Sequence, residues 1–396
     1  MAMRILHITG SIATEAGGVA RSVQDTSKAL AEAGLEVEIL AHKTGHIDLP
    51  WKDQPPERLA LTLVEPASSG RLASPDMKRM IRERLEACDV LHLHGMWEML
   101  NNYAAEWARV LRKPYVCSIR GMLDPWSMRQ RPHRKKFFYR VFENRRLSLA
   151  SAIHFTAEDE LRKAREWVPA GVRTVVVPNI INLGLFIDLP ERQAGRERFP
   201  QVPGAGPWVL FLSRIHEKKG LDRLIQAFAQ LPAELATAQL IIAGTGDDAY
   251  IAALKNLARE SGIETRVHFV GMIQGKAKAE LYRTCEVLAI PTSQENFGLV
   301  FPEALACETP VMLTEGVDIH REILGAGAGY LITQEPAQIA ATLIEALTHP
   351  AENRQRGAAG RRWVLENLQP AAIARQWCAI YASLAAGRPA AARDAV

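Results

Sequence analysis

The sequence contains no apolar run approaching the roughly 18 residues that a membrane-spanning helix needs. Its first residues, MAMRILHITGS, pass straight into a strand-like stretch and lack the layout of a signal peptide. A cytoplasmic protein is expected, one that can still touch the inner face of a membrane. Cysteine is scarce: five residues, an odd number, with no C-x-x-C spacing. That argues against a disulfide framework or a zinc site and fits a reducing compartment. Charge of one sign is also lacking. A net charge of +4 over 396 residues does not suggest a nucleic-acid partner, so any basic surface must be local. No G-x-G-x-x-G follows the first strand-like run, which argues against a dinucleotide oxidoreductase. No D-x-D-like metal motif stands at a plausible strand end; Asp247-Asp248 follows a glycine turn and reads as surface.

What is present is a long alternation of short strands and amphipathic helices. In the first half, strands are expected at 4–9, 37–40, 61–64, 89–94, 115–119, 152–155 and 174–178. In the second half they are expected at 208–213, 239–244, 267–271, 287–290 and 310–314. These are continuous apolar runs, the pattern of parallel sheets buried on both faces. Helices are expected at 19–33, 221–231, 248–261, 276–284, 298–307 and 336–347. Such alternation predicts an α/β protein of doubly wound, Rossmann-like domains. A proline- and glycine-rich stretch between Pro178 and Pro207 separates them. The domains are taken as 1–185 and 186–370, with a last helix at about 371–386 packing back on the first. Two such domains facing each other would leave a cleft at the carboxyl ends of their strands.

Three stretches of the second domain place chemistry at strand ends. In SRIHEKKG (213–220), Arg214 and Lys219 stand between a strand and a helix, where two cations suit an anionic ligand such as phosphate. AGTGDD (243–248) offers Gly244 and Gly246, which permit close backbone approach. In SQENFGLVFPEALACETPV (293–311), Gly298 opens a helix whose free N–H groups and positive dipole end favour a diphosphate. Glu303, inside that helix, can accept hydrogen bonds from a vicinal diol such as ribose, and Glu295, ahead of it, can reach hydroxyls of a further sugar.

In the first domain, Gly17 and Gly18 open a helix after the first strand, and HLHGMW (92–97) puts His94 at a strand end. SIRGMLDPW (118–126) carries Arg120, with Asp124 either at the acceptor or capping a helix. SMRQRPHRKKFFYRVFENRRL (127–147) holds eight Lys/Arg and one acidic residue, interleaved with Phe137, Phe138, Tyr139, Val141 and Phe142. Read as one amphipathic helix, it suits an anionic bilayer or a lipid-diphosphate acceptor better than nucleic acid.

The glutamate–seven residues–glutamate motif ENFGLVFPE, preceded by SRIHEKKG and followed by TPV, resembles retaining GT-B glycosyltransferases, the family that includes bacterial polysaccharide mannosyl- and glucosyltransferases. GG at 17–18, HLHG at 92–95 and VPN at 177–179 fall in the order usual there. The resemblance implies a hexosyltransferase whose donor is a nucleotide-diphosphate sugar such as a UDP- or GDP-hexose, with no separate cofactor and no metal. It places the diphosphate on Arg214 and Lys219 and on backbone groups of Phe297, Gly298 and Leu299. Glu303 would bind ribose, Glu295 the donor sugar, and backbone at Gly271, Met272 and Ile273 the base. Gly17, Gly18 and Gly244 would allow close approach. It further implies same-face attack through an oxocarbenium-like state, the departing phosphate helping to deprotonate the acceptor. The acceptor would be a lipid-linked glycan of exopolysaccharide or lipopolysaccharide biosynthesis. Many relatives carry a histidine where this chain has Arg120, which stays cationic and cannot act as a base; Arg120 would instead serve the diphosphate or an acceptor phosphate. A small soluble acceptor, or a nucleotide-sugar epimerase of the same fold, is the alternative reading.

Overall fold

A computed structural model of the chain describes residues 2–49, 51–66 and 74–387. The chain divides into two compact units. One spans Met1–Ile181 and resumes at Pro370; the other is Asn182–Gln369.

In the first unit the strands are β1 (Arg4–Ser11), β2 (Glu36–His42), β3 (Leu59–Val64), β4 (Val90–His94), β5 (Tyr115–Ser118), β6 (Ala152–Phe155) and β7 (Thr174–Val176). They form one parallel sheet in the order β3-β2-β1-β4-β5-β6-β7. In the second unit they are β8 (Trp208–Leu212), β9 (Gln239–Ala243), β10 (Val267–Gly271), β11 (Val287–Ile290), β12 (Val311–Leu313) and β13 (Gly329–Leu331). These too are parallel, in the order β10-β9-β8-β11-β12-β13. The central strands are apolar because both faces are covered. Every residue of β8 is buried, and truncating a side chain such as Phe211 to alanine would cost about 3–5 kcal/mol.

Each sheet reverses its winding at one place, between β1 and β4 in the first unit and between β8 and β11 in the second. Crossover helices leave such a pair toward opposite faces, so the loops at its carboxyl end diverge and leave a crevice. His94, Lys219 and Glu295 stand at these two places.

β13 and the helix Pro350–Asn367 are among the elements that the sequence reading did not name. β13 is only three residues, too short for a periodic signal. The helix Pro350–Asn367 was not expected, because glycines interrupt its interior and it has no clear apolar stripe. The glycines have a packing reason. A Cβ on Gly357 would lie 2.2 Å from the Glu308 carbonyl oxygen, and one on Gly360 would lie 2.5 Å from Leu305. The helix therefore presses backbone-close against Val300–Ala306, the helix that follows Gly298. The last helix, Pro370–Ala386, packs on the Gly18–Glu32 helix and on β4 of the first unit, with Trp377 and Tyr381 buried.

Candidate active site

In the second unit, one backbone carbonyl organises the switch point. The Lys218 oxygen accepts from the Ser293 N–H (2.9 Å), from Thr292 Oγ1 (3.1 Å) and from Ser293 Oγ (3.2 Å). This fastens the loop after β8 to the loop after β11. The turn between Lys219 and the next helix passes through Gly220 at φ +69°, where a Cβ would lie 2.3 Å from the Pro291 carbonyl oxygen. A third loop, after β12, completes the frame: Thr314 Oγ1 donates to the Thr292 carbonyl (2.6 Å), and the Glu295 N–H donates to the Gly316 carbonyl (2.9 Å).

The frame brings Lys219 and Glu295 into a direct ion pair between Nζ and Oε2. Burial works against ionisation of Glu295, but the adjacent Lys219 ammonium outweighs it and holds the carboxyl below the usual range. Arg214 stays exposed and makes no hydrogen bond or ion pair among the described residues, which leaves its guanidinium open to an anion. Gly244, at φ +137°, and Gly246 allow the loop after β9 to lie on the Arg214 loop: a Cβ on either would come within 2.1 Å of the Ser213 or Ile215 carbonyl oxygens. These two glycines act in loop–loop packing.

The helix after Gly298 runs from Val300 to Ala306, shorter than the expected 298–307, with Gly298 at φ +65° ahead of it. The N–H groups of Gly298 and Leu299 have no acceptor among the described residues. Phe297 is buried, whereas Ile273, two residues past β10, is half-buried beside the exposed Met272. Glu303 pairs with Lys278 Nζ and accepts from the Tyr282 phenol (3.0 Å). Both partners come from the helix Gly275–Thr284. Neither was singled out from the sequence. Their i, i+4 spacing puts them on one helix face, but nothing in the sequence says which carboxylate that face meets.

In the first unit, Gly17 and Gly18 start the Gly18–Glu32 helix, and a Cβ on either would meet nothing within 4 Å. They border open space. Asp124 is the N-cap of the Pro125–Arg129 helix, accepting from the Trp126 N–H (2.7 Å).

His94 and Arg120 lie within a buried network. The partners fix each imidazole's tautomer. His154 Nε2–H donates to the Val177 carbonyl (2.8 Å), so its Nδ1 accepts from Ser118 Oγ (2.6 Å). Ser118 Oγ in turn accepts from His92 Nε2–H (2.6 Å), and His92 Nδ1 accepts from the Tyr381 phenol (2.7 Å). A second branch starts at Arg120, whose Nη2 donates to His94 Nδ1 (3.2 Å) while His94 Nε2–H donates to His7 Nδ1 (2.8 Å). Arg120 Nη1 donates to Asn179, which also accepts from Ser22 Oγ (2.6 Å). All four imidazoles are held neutral. Burial, then the Arg120 guanidinium, pushes His7 and His154 down to about 3. Burial and neighbouring imidazoles, with Arg120, push His92 and His94 well below 6.5. Burial draws Arg120 down to about 10, with Glu160 opposing.

His7, His92 and His94 offer nitrogens within 4.8 Å of one another, a grouping able to hold a metal ion. Here each acceptor nitrogen already takes a proton, from His94, Tyr381 and Arg120 respectively. Arg120 also supplies positive charge where a metal site would place a carboxylate. The arrangement fits a hydrogen-bond network better than a cation. Beside it, Glu98 lies across the end of β1: a Cβ on Gly10 would sit 2.3 Å from Glu98 Oε1. Burial raises this carboxyl to about 7, against the pull of Arg146.

The basic stretch 127–147 is not the single helix expected. It breaks at Arg131 (φ +55°), resumes as Pro132–Phe138, passes through a π-turn at Tyr139–Glu143 and ends as Asn144–Ser148. Tyr139 is buried, and Phe138 packs on Phe142 and Trp97. Arg146 pairs with Glu143 inside. Arg145, also exposed, pairs with Glu106; outward without an ion pair among the described residues remain Arg129, Arg131, Arg134, Lys136 and Arg140, with Phe137 66% and Val141 47% exposed.

Two parallel, Rossmann-like sheets, each with loops meeting at a switch point, match the GT-B fold. Residues 196–363 match the family model described as Glycosyl transferases group 1, and residues 17–180 match a Glycosyl transferase 4-like domain. The chain belongs to this family and is a glycosyltransferase. It is 28% identical to a D-inositol 3-phosphate glycosyltransferase of Xylanimonas cellulosilytica, over 95% of this chain and 94% of that one. It is 26% identical to a phosphatidyl-myo-inositol mannosyltransferase of Mycobacterium leprae, over 93% and 94%. The fold superposes on sucrose-phosphate synthase from Thermosynechococcus elongatus with a TM-score of 0.78 at 24% identity, over 97% and 99% of the two chains.

Proposed function

We propose that this glycosyltransferase is a retaining, metal-independent hexosyltransferase that uses a nucleotide-diphosphate sugar and acts on a lipid-linked glycan in cell-surface polysaccharide biosynthesis. The observation that carries the donor reading is the Lys219–Glu295 pair beside the unpaired Arg214 and the free N–H groups of Gly298 and Leu299. A diphosphate seated there would draw Lys219 toward itself, release Glu295 and leave that carboxylate for hydroxyls of the attached hexose. Two cations and two backbone donors stabilise the charge that builds on the diphosphate as the sugar departs. A divalent ion is not required for that role. Arg120, through Asn179 and His94, sets the floor of the first unit's switch point.

The lipid-linked acceptor is favoured by the five outward cations around Phe137 and Val141, a composition suited to an anionic bilayer surface. A relative named for a phosphatidyl-inositol acceptor agrees in chemical type. A thermal-shift panel of UDP-, GDP- and ADP-sugars tests the donor, because a ligand that binds only the folded state raises the melting temperature. Stabilisation by one base class, undiminished by EDTA, is expected; no response to any would refute the donor site. Sedimentation with phosphatidylglycerol vesicles tests the surface. Phe137→Ser should release the protein, and equal sedimentation of that variant would refute the contact.

A further inference from the structure

The two donors to Glu303 arrive on one oxygen. Tyr282 Oη and Lys278 Nζ both meet Oε2, while Oε1 makes no hydrogen bond. Tyr282 is fully buried, and its Lys278 neighbour one turn away is 19% exposed at the side chain. Burial first, then the Glu303 charge, raises the phenol well above 10, so it keeps its proton and remains a donor. The Tyr282 backbone is itself fixed, its carbonyl accepting from Thr309 Oγ1 (2.5 Å). Glu303 therefore presents a clamped carboxylate, with one oxygen committed and one offered.

Resting on the donor reading above, we infer that Tyr282 and Lys278 complete the ribose-recognition site, so that the chain reads a vicinal diol with one acceptor and one donor. Oε1 of Glu303 accepts a hydrogen bond from one hydroxyl. A free N–H of Lys278, whose ammonium has three donors and one carboxylate partner, is given to the oxygen of the adjacent hydroxyl. Tyr282 is a positioning residue: it touches no ligand and holds Glu303 in the rotamer that leaves Oε1 outward. A carboxylate free to use both oxygens would accept a diol without needing a second group. This one loses half of the interaction when a hydroxyl is missing, which makes it selective against 2′-deoxyribose.

Isothermal titration calorimetry with UDP, GDP, ADP and their 2′-deoxy forms tests this on the 396-residue chain. The wild type should prefer the ribo form of its base by about tenfold or more, the scale of a hydrogen bond to a charged group. Lys278→Met should reduce that preference several-fold while leaving deoxynucleotide affinity nearly unchanged, because only the diol contact is lost. Tyr282→Phe should do the same through a loosened Glu303. A merely structural role would weaken ribo and deoxy forms equally. An unchanged ribo-to-deoxy ratio in Lys278→Met, at a part-exposed position that leaves the buried Tyr282 in place, overturns the inference while the donor site stands. Failure of the wild type to bind any of the three ribonucleotides overturns the donor site and this inference with it.

Discussion

Acid should weaken the first unit through its buried imidazoles. The perturbation is a change from pH 7.5 to 5.5. His7 and His154 titrate at about 3 in the folded chain and near 6.5 when unfolded, so between those values the unfolded chain binds protons that the folded chain refuses. Stability is present in full above 6.5 and is lost as pH falls toward 3. At pH 5.5 each of the two groups has cost about 1.4 kcal/mol, together about 3 kcal/mol. His92 and His94, also held well below 6.5, act in the same direction. Glu98 acts oppositely. Its carboxyl, raised to about 7, takes a proton in the folded state first and contributes about 2 kcal/mol of stability over the same change. The wild type should therefore lose a modest amount, and Glu98→Gln, which removes the opposing group, should lose about 3 kcal/mol or more, roughly 6–12 °C in melting temperature for a unit of this size. Scanning calorimetry of both proteins at pH 7.5, 6.5 and 5.5 and constant ionic strength measures this. If Glu98→Gln melts no lower at pH 5.5 than at 7.5, the imidazoles are not held neutral by their surroundings and the account of the network is wrong.

Two further outcomes follow from the second unit. Lys219→Ala removes the charged donor proposed for the diphosphate and should weaken nucleoside-diphosphate binding by about 10- to 100-fold; unchanged affinity by calorimetry would withdraw the phosphate assignment. Gly220→Ala must place a Cβ against the Pro291 carbonyl at a positive φ, costing about 1–3 kcal/mol and displacing Lys219 with it; a variant that melts and binds as the wild type does would show that the turn is not fixed by this contact.

The strands were legible because burial on both faces leaves no choice but continuous apolar residues, as in WVLFL and QLIIA. The 350–367 helix was not, since Gly357 and Gly360 weaken the local signal in order to let two helices approach, and that gain appears only once the partner helix is in place. His92 and His94 sit two apart on one strand and so share a face, which the sequence does show. Their partners His7, His154 and Tyr381 come from distant strands and from the far end of the chain. The inward turn of Arg120 is likewise set by Asn179 and His94, and residue type alone pointed outward to a ligand. Of the proposed donor site, the sequence shows the order of Lys219, Glu295 and Glu303, whereas the pairing of the first two with each other and of the third with Lys278 depends on three loops and a helix.

The hold of Trp377 and Tyr381 on the central strands of the first unit has a consequence for how the protein is made. Synthesis delivers the strands of the first sheet before the second unit, yet the aromatic plug over His92 and His154 follows that whole unit in the chain. Until then the nascent first unit lacks its final seal and carries a donor-less imidazole where the Tyr381 hydroxyl will sit. Chains truncated before Pro370 should accordingly hold a less stable first unit even though the segment that builds its sheet is intact, and the unit first reaches its native stability once Pro370–Ala386 has been made.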